Sequence, residues 1–72
     1  MRTDRITEEM AKVFYRELCR VVYGNPDKNC GGVMSVELIA EHMHMSTKRA
    51  TEFCAAMILH GITERQNGMI VV

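Results

Sequence analysis

The 72-residue sequence has few aromatic residues, one proline and no excess of charge of either sign. Aromatic residues make up 6% of it, and Lys plus Arg equal Asp plus Glu at 9 each. A chain of this length forms one small domain with a thin core, which buries roughly 60% of the unfolded surface. The zero net charge counts against strong non-specific attraction to nucleic acid, but it is compatible with a basic face backed by an acidic one.

The sequence also lacks paired cysteine motifs and long apolar runs. Its three cysteines are odd in number and show no CxxC spacing, so we expect reduced thiols in a cytoplasmic protein. No apolar run approaches the roughly 20 residues that a membrane helix needs, and we expect neither a signal peptide nor a membrane segment. Apolar residues are nevertheless abundant at 47%, with seven methionines that suit core gaps or an adaptable contact surface.

Residues 4–23 are predicted to form the first helix. Asp4 or Thr7 is a candidate N-cap, Gly24 is a candidate C-cap, and Pro26 prevents the helix from resuming. The apolar residues recur at steps of three and four, as expected for one buried side: Ile6, Met10, Val13, Phe14, Leu18, Val21 and Val22.

A row of basic residues follows the same helix. Lys12, Arg16 and Arg20 are spaced four residues apart and therefore share one side of the helix. Glu8 precedes Lys12 by four residues, a spacing that allows an ion pair on a helix. The row is compatible either with a solvated surface or with contact to phosphates or a partner.

A polar loop and a short second helix come next. Residues 24–32 contain three glycines, two asparagines and the one proline, without a phosphate-binding glycine motif, so they predict a loop without a nucleotide site. Val33 and Met34 are compatible with a very short strand. Ser35 is a candidate N-cap for a helix over residues 36–43.

Residues 47–60 predict a third helix, which Ser46 begins as N-cap and Gly61 ends. His44 and Met45 form the turn before it. Its inner positions are spaced by three and four and are predicted to be core: Ala50, Phe53, Cys54, Met57 and Ile58.

Residues 62–72 predict a β-hairpin. Asn67-Gly68 is the strongest short hairpin signal, because a type I′ turn requires positive φ at both central residues. The last strand, Met69 to Val72, is apolar, so we expect the core to cover one of its faces.

The segment IAEHMHMS, residues 39–46, resembles the pattern LAEELGVS that is common in winged helix-turn-helix domains. Ala40 stands where a small residue lets two helices pack closely, and Gly61-Ile62 stands at the usual exit into the wing. His44 departs from the frequent turn glycine. The resemblance is close over residues 36–66 and implies a mainly α fold, in which a three-helix bundle and a C-terminal two-stranded wing form one domain over residues 1–72.

This resemblance implies a small DNA-binding protein, a transcriptional regulator whose third helix enters the major groove of double-stranded DNA. Lys48 or Arg49 would contact guanine, and Arg65 at the base of the wing would contact the backbone. Few basic groups imply weak binding by one domain, so a homodimer is expected to supply site-specific affinity. The implied DNA-binding residues are Ser46, Thr47, Lys48, Arg49, Thr51, Glu52 and Arg65.

A second interpretation is a winged-helix module that binds protein and no nucleic acid. This interpretation is favoured by the zero net charge, the acidic Glu37 and Glu41, the methionines and a wing tip without basic residues. The Thr47-Lys48-Arg49 start of the third helix favours DNA instead.

Catalytic and metal sites are not expected. Paired carboxylates and a nucleophile with an identifiable base are lacking, and so short a chain has little room for a ligand cleft, so we predict neither an enzyme nor a small-molecule substrate or cofactor. Cys30, His42 and His44 lack the spacing of a four-ligand zinc site, and no metal is expected.

Overall fold

The structure is a computed structural model that describes residues 6–28 and 31–72. It is mainly helical with a small antiparallel sheet, which confirms the predicted mixture of elements. The elements in chain order are α1 (Glu8–Tyr23), β1 (Val33–Met34), α2 (Val36–His42), α3 (Thr47–Leu59), β2 (Arg65–Gln66) and β3 (Met69–Val71).

Helix α1 is shorter than the predicted span of residues 4–23. Residues 4 and 5 lie outside the described residues, and the helix begins at Glu8 because the Thr7 hydroxyl accepts a 3.1 Å hydrogen bond from the Met10 amide. Gly24 ends it as predicted, with φ of 79° and a hydrogen bond from its amide to the carbonyl of Arg20.

The other two helices each end one residue before their predicted limits. Met43 is the C-cap of α2 and His60 is the C-cap of α3. The turn between α2 and α3 includes His44 at φ of 55°, which explains why glycine is frequent here in the resembling pattern. The amide of Met45 donates to the Ala40 carbonyl at 3.0 Å and closes the turn.

The predicted hairpin is present, and the possible short strand at Val33-Met34 also forms and pairs with it, so the sheet has three strands where two were predicted for the wing. The sheet order is β1-β3-β2, with Val33 opposite Val71 and Arg65 opposite Ile70. Asn67 and Gly68 have φ of 52° and 79°, which confirms the predicted turn.

The first strand of the hairpin begins later than the predicted start at residue 62, whereas the second begins at Met69 as predicted and ends one residue earlier. Over residues 62–64 the chain is tied to the helix end, since the Ile62 amide donates to the Met57 carbonyl at 2.9 Å. Only Arg65 and Gln66 remain to pair with β3. The Tyr23 hydroxyl donates to the Val72 carbonyl at 2.9 Å and fastens the end of the sheet to α1.

The core lies between the three helices and the inner face of β3. Phe53 and Ile58, predicted as core, are only partly buried. On α1 the exposed fractions of Met10, Val13 and Val21 are 37%, 60% and 41%, so their predicted burial is wrong. The buried residues are Ala11, Phe14, Leu18, Cys19, Met34, Ile39, Ala40, Ala50, Cys54, Ala56, Met57, Ile70 and Val72.

Candidate nucleic-acid interface

The start of α3 is built by a serine cap. The Ser46 hydroxyl accepts a 3.1 Å hydrogen bond from the Arg49 amide, which satisfies one of the free amides of the first turn. The Thr51 hydroxyl donates to the Thr47 carbonyl at 2.8 Å, so this hydroxyl is also engaged within the helix. Of the three hydroxyl groups at the start of α3, those of Ser46 and Thr51 are therefore already hydrogen-bonded within the helix.

This cap yields a direct prediction about stability. Ser46→Ala is expected to destabilise the protein by about 1 kcal/mol, because the Arg49 amide loses its partner. Ser46→Asp is the matched control, since a carboxylate also caps a helix start and should retain most of the stability. Urea denaturation measures both, and equal stability of Ser46→Ala and the unmodified protein would show that this cap contributes nothing.

Lys48 is the exposed cation at the start of α3. It makes no ion pair with any described residue. The helical spacing of Lys48, Glu52, Ala55 and Leu59 places them on one side of α3, opposite the buried Ala50 and the other core positions. Leu59 is 78% exposed, so this side changes from charged to apolar along the helix.

Arg49 is turned toward the flank of α3 and is already paired. Its Nη1 lies 3.2 Å from Oε1 of Glu52, and its guanidinium carbon lies 4.7 Å from the centre of the Phe53 ring. The Phe53 ring in turn stacks on Phe14 of α1, with centroids 4.3 Å apart. Contact of Arg49 with a guanine base, as predicted, therefore requires the side chain to leave both partners.

Arg65 is exposed on β2, an edge strand of the sheet, and makes no ion pair with a described residue. Burial raises the pKa of the Cys54 thiol to about 11, and the positive charge of Arg65 opposes that rise. The charge of Arg65 therefore acts on a buried group of α3. Lys48 and Arg65 are thus two exposed cations on different elements, α3 and β2.

The basic row of α1 is neutralised by neighbouring carboxylates. Lys12 pairs with Glu8 at 3.4 Å, and Arg16 pairs with Asp27 at 2.6 Å. Arg20 pairs with Glu17.

The ion pair between Arg20 and Glu17 changes the pKa of both side chains. It lowers the pKa of Glu17 and raises that of Arg20, chiefly through their side-chain hydrogen bonds. The α1 row therefore does not extend a free basic surface. Among the described residues, the cations without an ion pair are Lys28, Lys48 and Arg65.

An apolar groove that was not predicted from the sequence lies between α1 and α3. Its volume is about 400 Å³, and among the described residues the only charged side chains at its edge are glutamates. One feature of the sequence could have indicated this groove: the apolar arc of α1 is broader than two short helices can cover. The groove is lined by Glu9, Met10, Val13, Phe14, Glu17, Met43 and Phe53.

Neither a metal cluster nor a membrane helix is found in the described part of the chain. Within residues 6–28 and 31–72, no three His, Cys, Asp or Glu side chains are grouped closely enough to hold a metal ion; Cys30 lies outside these residues. None of the helices over the same ranges is long and apolar enough to cross a membrane.

Comparison with known proteins finds no match: no protein-family model, no curated protein and no solved structure is significantly similar to this chain. Any assignment of function therefore depends on the residues and geometry described above.

Proposed function

We propose that this chain is a DNA-binding winged-helix protein that contacts the major groove with α3 and regulates transcription. The observation that carries the proposal is the exposed start of α3, where Lys48 has no carboxylate partner among the described residues. Thr47 and Thr51 are exposed beside it. The order of the elements, with α2 and α3 joined by a tight turn and followed by a hairpin, agrees with the resemblance in the sequence.

The charges indicate what kind of DNA binding to expect. Lys48 and Arg65 each supply one cation for phosphate or base contact. Arg49 must first break its ion pair with Glu52 before it can contact DNA. Each neutralised phosphate contributes a salt dependence of about one power of salt concentration, so a single chain is expected to bind weakly with a shallow salt slope. A homodimer would present two such helices and double the number of contacts.

Lys48→Ala tests this proposal. We expect the variant to bind duplex DNA about fivefold more weakly or worse, equivalent to about 1 kcal/mol, because one charge-assisted contact is removed. Fluorescence anisotropy with random-sequence duplex DNA at several salt concentrations provides the measurement, and the salt slope is expected to fall by about one.

Lys12→Ala is the matched control, since it removes the same charge from an exposed lysine on α1 that is paired with Glu8. It is expected to leave DNA binding nearly unchanged. Equal losses in the two variants would indicate a general charge effect and contradict a contact by α3. The absence of binding by the unmodified protein at low salt would overturn the DNA proposal.

The apolar groove supports a second candidate function, a protein-interaction module without nucleic-acid binding. Val13 is 60% exposed at its wall, and four of the described cations are already paired with carboxylates. Binding of a partner protein in an apolar groove need not weaken with salt as phosphate contact does. The titration with duplex DNA at several salt concentrations therefore distinguishes the two functions.

A further inference from the structure

Glu52 has two cations within reach at the start of α3. It follows Lys48 by four residues and Arg49 by three, and both spacings allow an ion pair on a helix. In the structure its Oε1 lies 3.2 Å from Nη1 of Arg49, whereas Lys48 makes no ion pair with any described residue. One carboxylate therefore has two candidate partners, and the choice between them decides whether Lys48 is free.

The Arg49 side chain is also held by an aromatic ring. Its guanidinium carbon lies 4.7 Å from the centre of the Phe53 ring, which stacks on Phe14 of α1 with centroids 4.3 Å apart. A guanidinium is planar and stacks on aromatic faces, so the ring orients it and little further freedom is lost when it pairs with Glu52. The Lys48 ammonium is exposed on a flexible stem and has more freedom to lose. This difference favours Arg49 as the partner of Glu52.

The Arg49–Glu52 pair is the least exposed ion pair among the described residues. Its two side chains are 36% and 29% exposed, whereas every side chain in the other pairs of the described ranges is 45% or more exposed. Salt screens partly buried charges less than exposed ones. The pair is therefore expected to persist at salt concentrations that weaken the pairs on α1.

We propose that Arg49 is a positioning residue, which holds the Glu52 carboxylate away from Lys48 and thereby leaves Lys48 free to contact DNA. Without Arg49, Glu52 turns to Lys48, because side chains four residues apart are neighbours on a helix. It then neutralises the cation and places a carboxylate beside the DNA phosphates. The proposal rests on the proposed DNA-binding function, and it gives Arg49 an indirect role in place of contact with a base.

A double-mutant cycle at residues 49 and 52 tests this role. Binding of random-sequence duplex DNA is measured by fluorescence anisotropy for the unmodified chain, Arg49→Ala, Glu52→Gln and the double variant. Arg49→Ala is expected to weaken binding about threefold, because Lys48 must be released from Glu52 and the carboxylate repels phosphate. In the Glu52→Gln background the same change should weaken binding no more than Lys12→Ala does, because no carboxylate remains to capture Lys48.

Lys12→Ala is the matched control, since Lys12 is likewise paired with a glutamate of its own helix. Its effect measures the loss of one paired positive charge without a change on α3. Equal losses from Arg49→Ala in the two backgrounds would indicate a general effect of charge or folding. A larger loss in the Glu52→Gln background would indicate that Arg49 itself contacts DNA. Either result would overturn the positioning role.

Acylation of the lysine amines tests the same role without DNA. A carboxylate beside an amine stabilises the protonated form, which does not react with an acylating reagent. Modification of Lys48 relative to Lys12 is measured by mass spectrometry of proteolytic peptides. Glu52→Gln is expected to raise this ratio about twofold in the Arg49→Ala chain and to leave it nearly unchanged in the chain that retains Arg49.

The two measurements separate this inference from the DNA proposal. If no variant binds DNA, the DNA-binding function is overturned, and the acylation ratio still decides whether Arg49 keeps Glu52 from Lys48. An equal effect of Glu52→Gln on that ratio in both chains would overturn the positioning role. That result leaves the Lys48→Ala titration able to support DNA binding.

Discussion

Leu18→Ala is expected to destabilise the protein by roughly 2–5 kcal/mol, the largest effect among the substitutions that we predict. Leu18 lies in the middle of α1, is 0% exposed, and belongs to the core shared by the helices and β3. The truncation removes apolar contacts and leaves a cavity that three short helices can close only in part. A domain of this size has a free energy of unfolding of about 5 kcal/mol, so at the upper end of this range about half of the population is expected to be unfolded.

Leu59→Ala is the matched control, since it makes the same chemical change at a residue that is 78% exposed. It is expected to alter the free energy of unfolding by less than about 0.5 kcal/mol. Thermal and urea denaturation followed by circular dichroism compare the two variants. If Leu18→Ala and Leu59→Ala were equally stable, the side of α1 that faces the core would have been assigned wrongly.

Cys54 is expected to cause a loss of stability at alkaline pH. The Cys54 thiol is 0% exposed, and burial raises its pKa from 9.0 to about 11. The unfolded chain releases this proton near the ordinary pKa, whereas the folded chain retains it. Stability is therefore fully present below pH 9 and is lost as the pH rises toward 11. The loss should reach roughly 1 kcal/mol by about pH 10 and on the order of 2 kcal/mol above about pH 11.

Cys54→Ala isolates this contribution from other groups that titrate at high pH. The free energy of unfolding is measured by urea denaturation from about pH 7.5 to about pH 10.5 for both proteins, at the same ionic strength. The alanine variant is expected to lose less stability over this interval, even though its stability at neutral pH is lower. Parallel pH profiles for the two proteins would mean that the thiol ionises with equal ease in the folded and unfolded chains.

Local signals in the sequence predicted the positions of the elements well. Thr7, Ser35 and Ser46 accept hydrogen bonds from amides in the first turns of their helices, and Gly24 ends α1. Asn67-Gly68 forms the predicted hairpin turn. These features depend on a few neighbouring residues, since caps and tight turns are set by short-range hydrogen bonds and by the φ angles that each residue tolerates.

The candidate interface was predictable only in part. The exposed Thr47, Lys48 and Thr51 lie on α3, as expected from the sequence. Spacing could not show that Arg49 would pair with Glu52 and lie over Phe53, because several rotamers of a long side chain are possible and the packed neighbours select one. The DNA function of these residues stays a prediction until the Lys48 titration is done.

The sequence by itself determined which segments are helical, where they begin and end to within a few residues, and where the hairpin turns. Tertiary structure alone decided that β1 pairs with β3, and that Val13 is exposed while Ala11 and Cys19 are buried. The physical reason is that helical periodicity specifies an apolar arc on α1, whereas the area covered depends on how far α2, α3 and the sheet extend over it. The part of the arc left uncovered lines the apolar groove between α1 and α3.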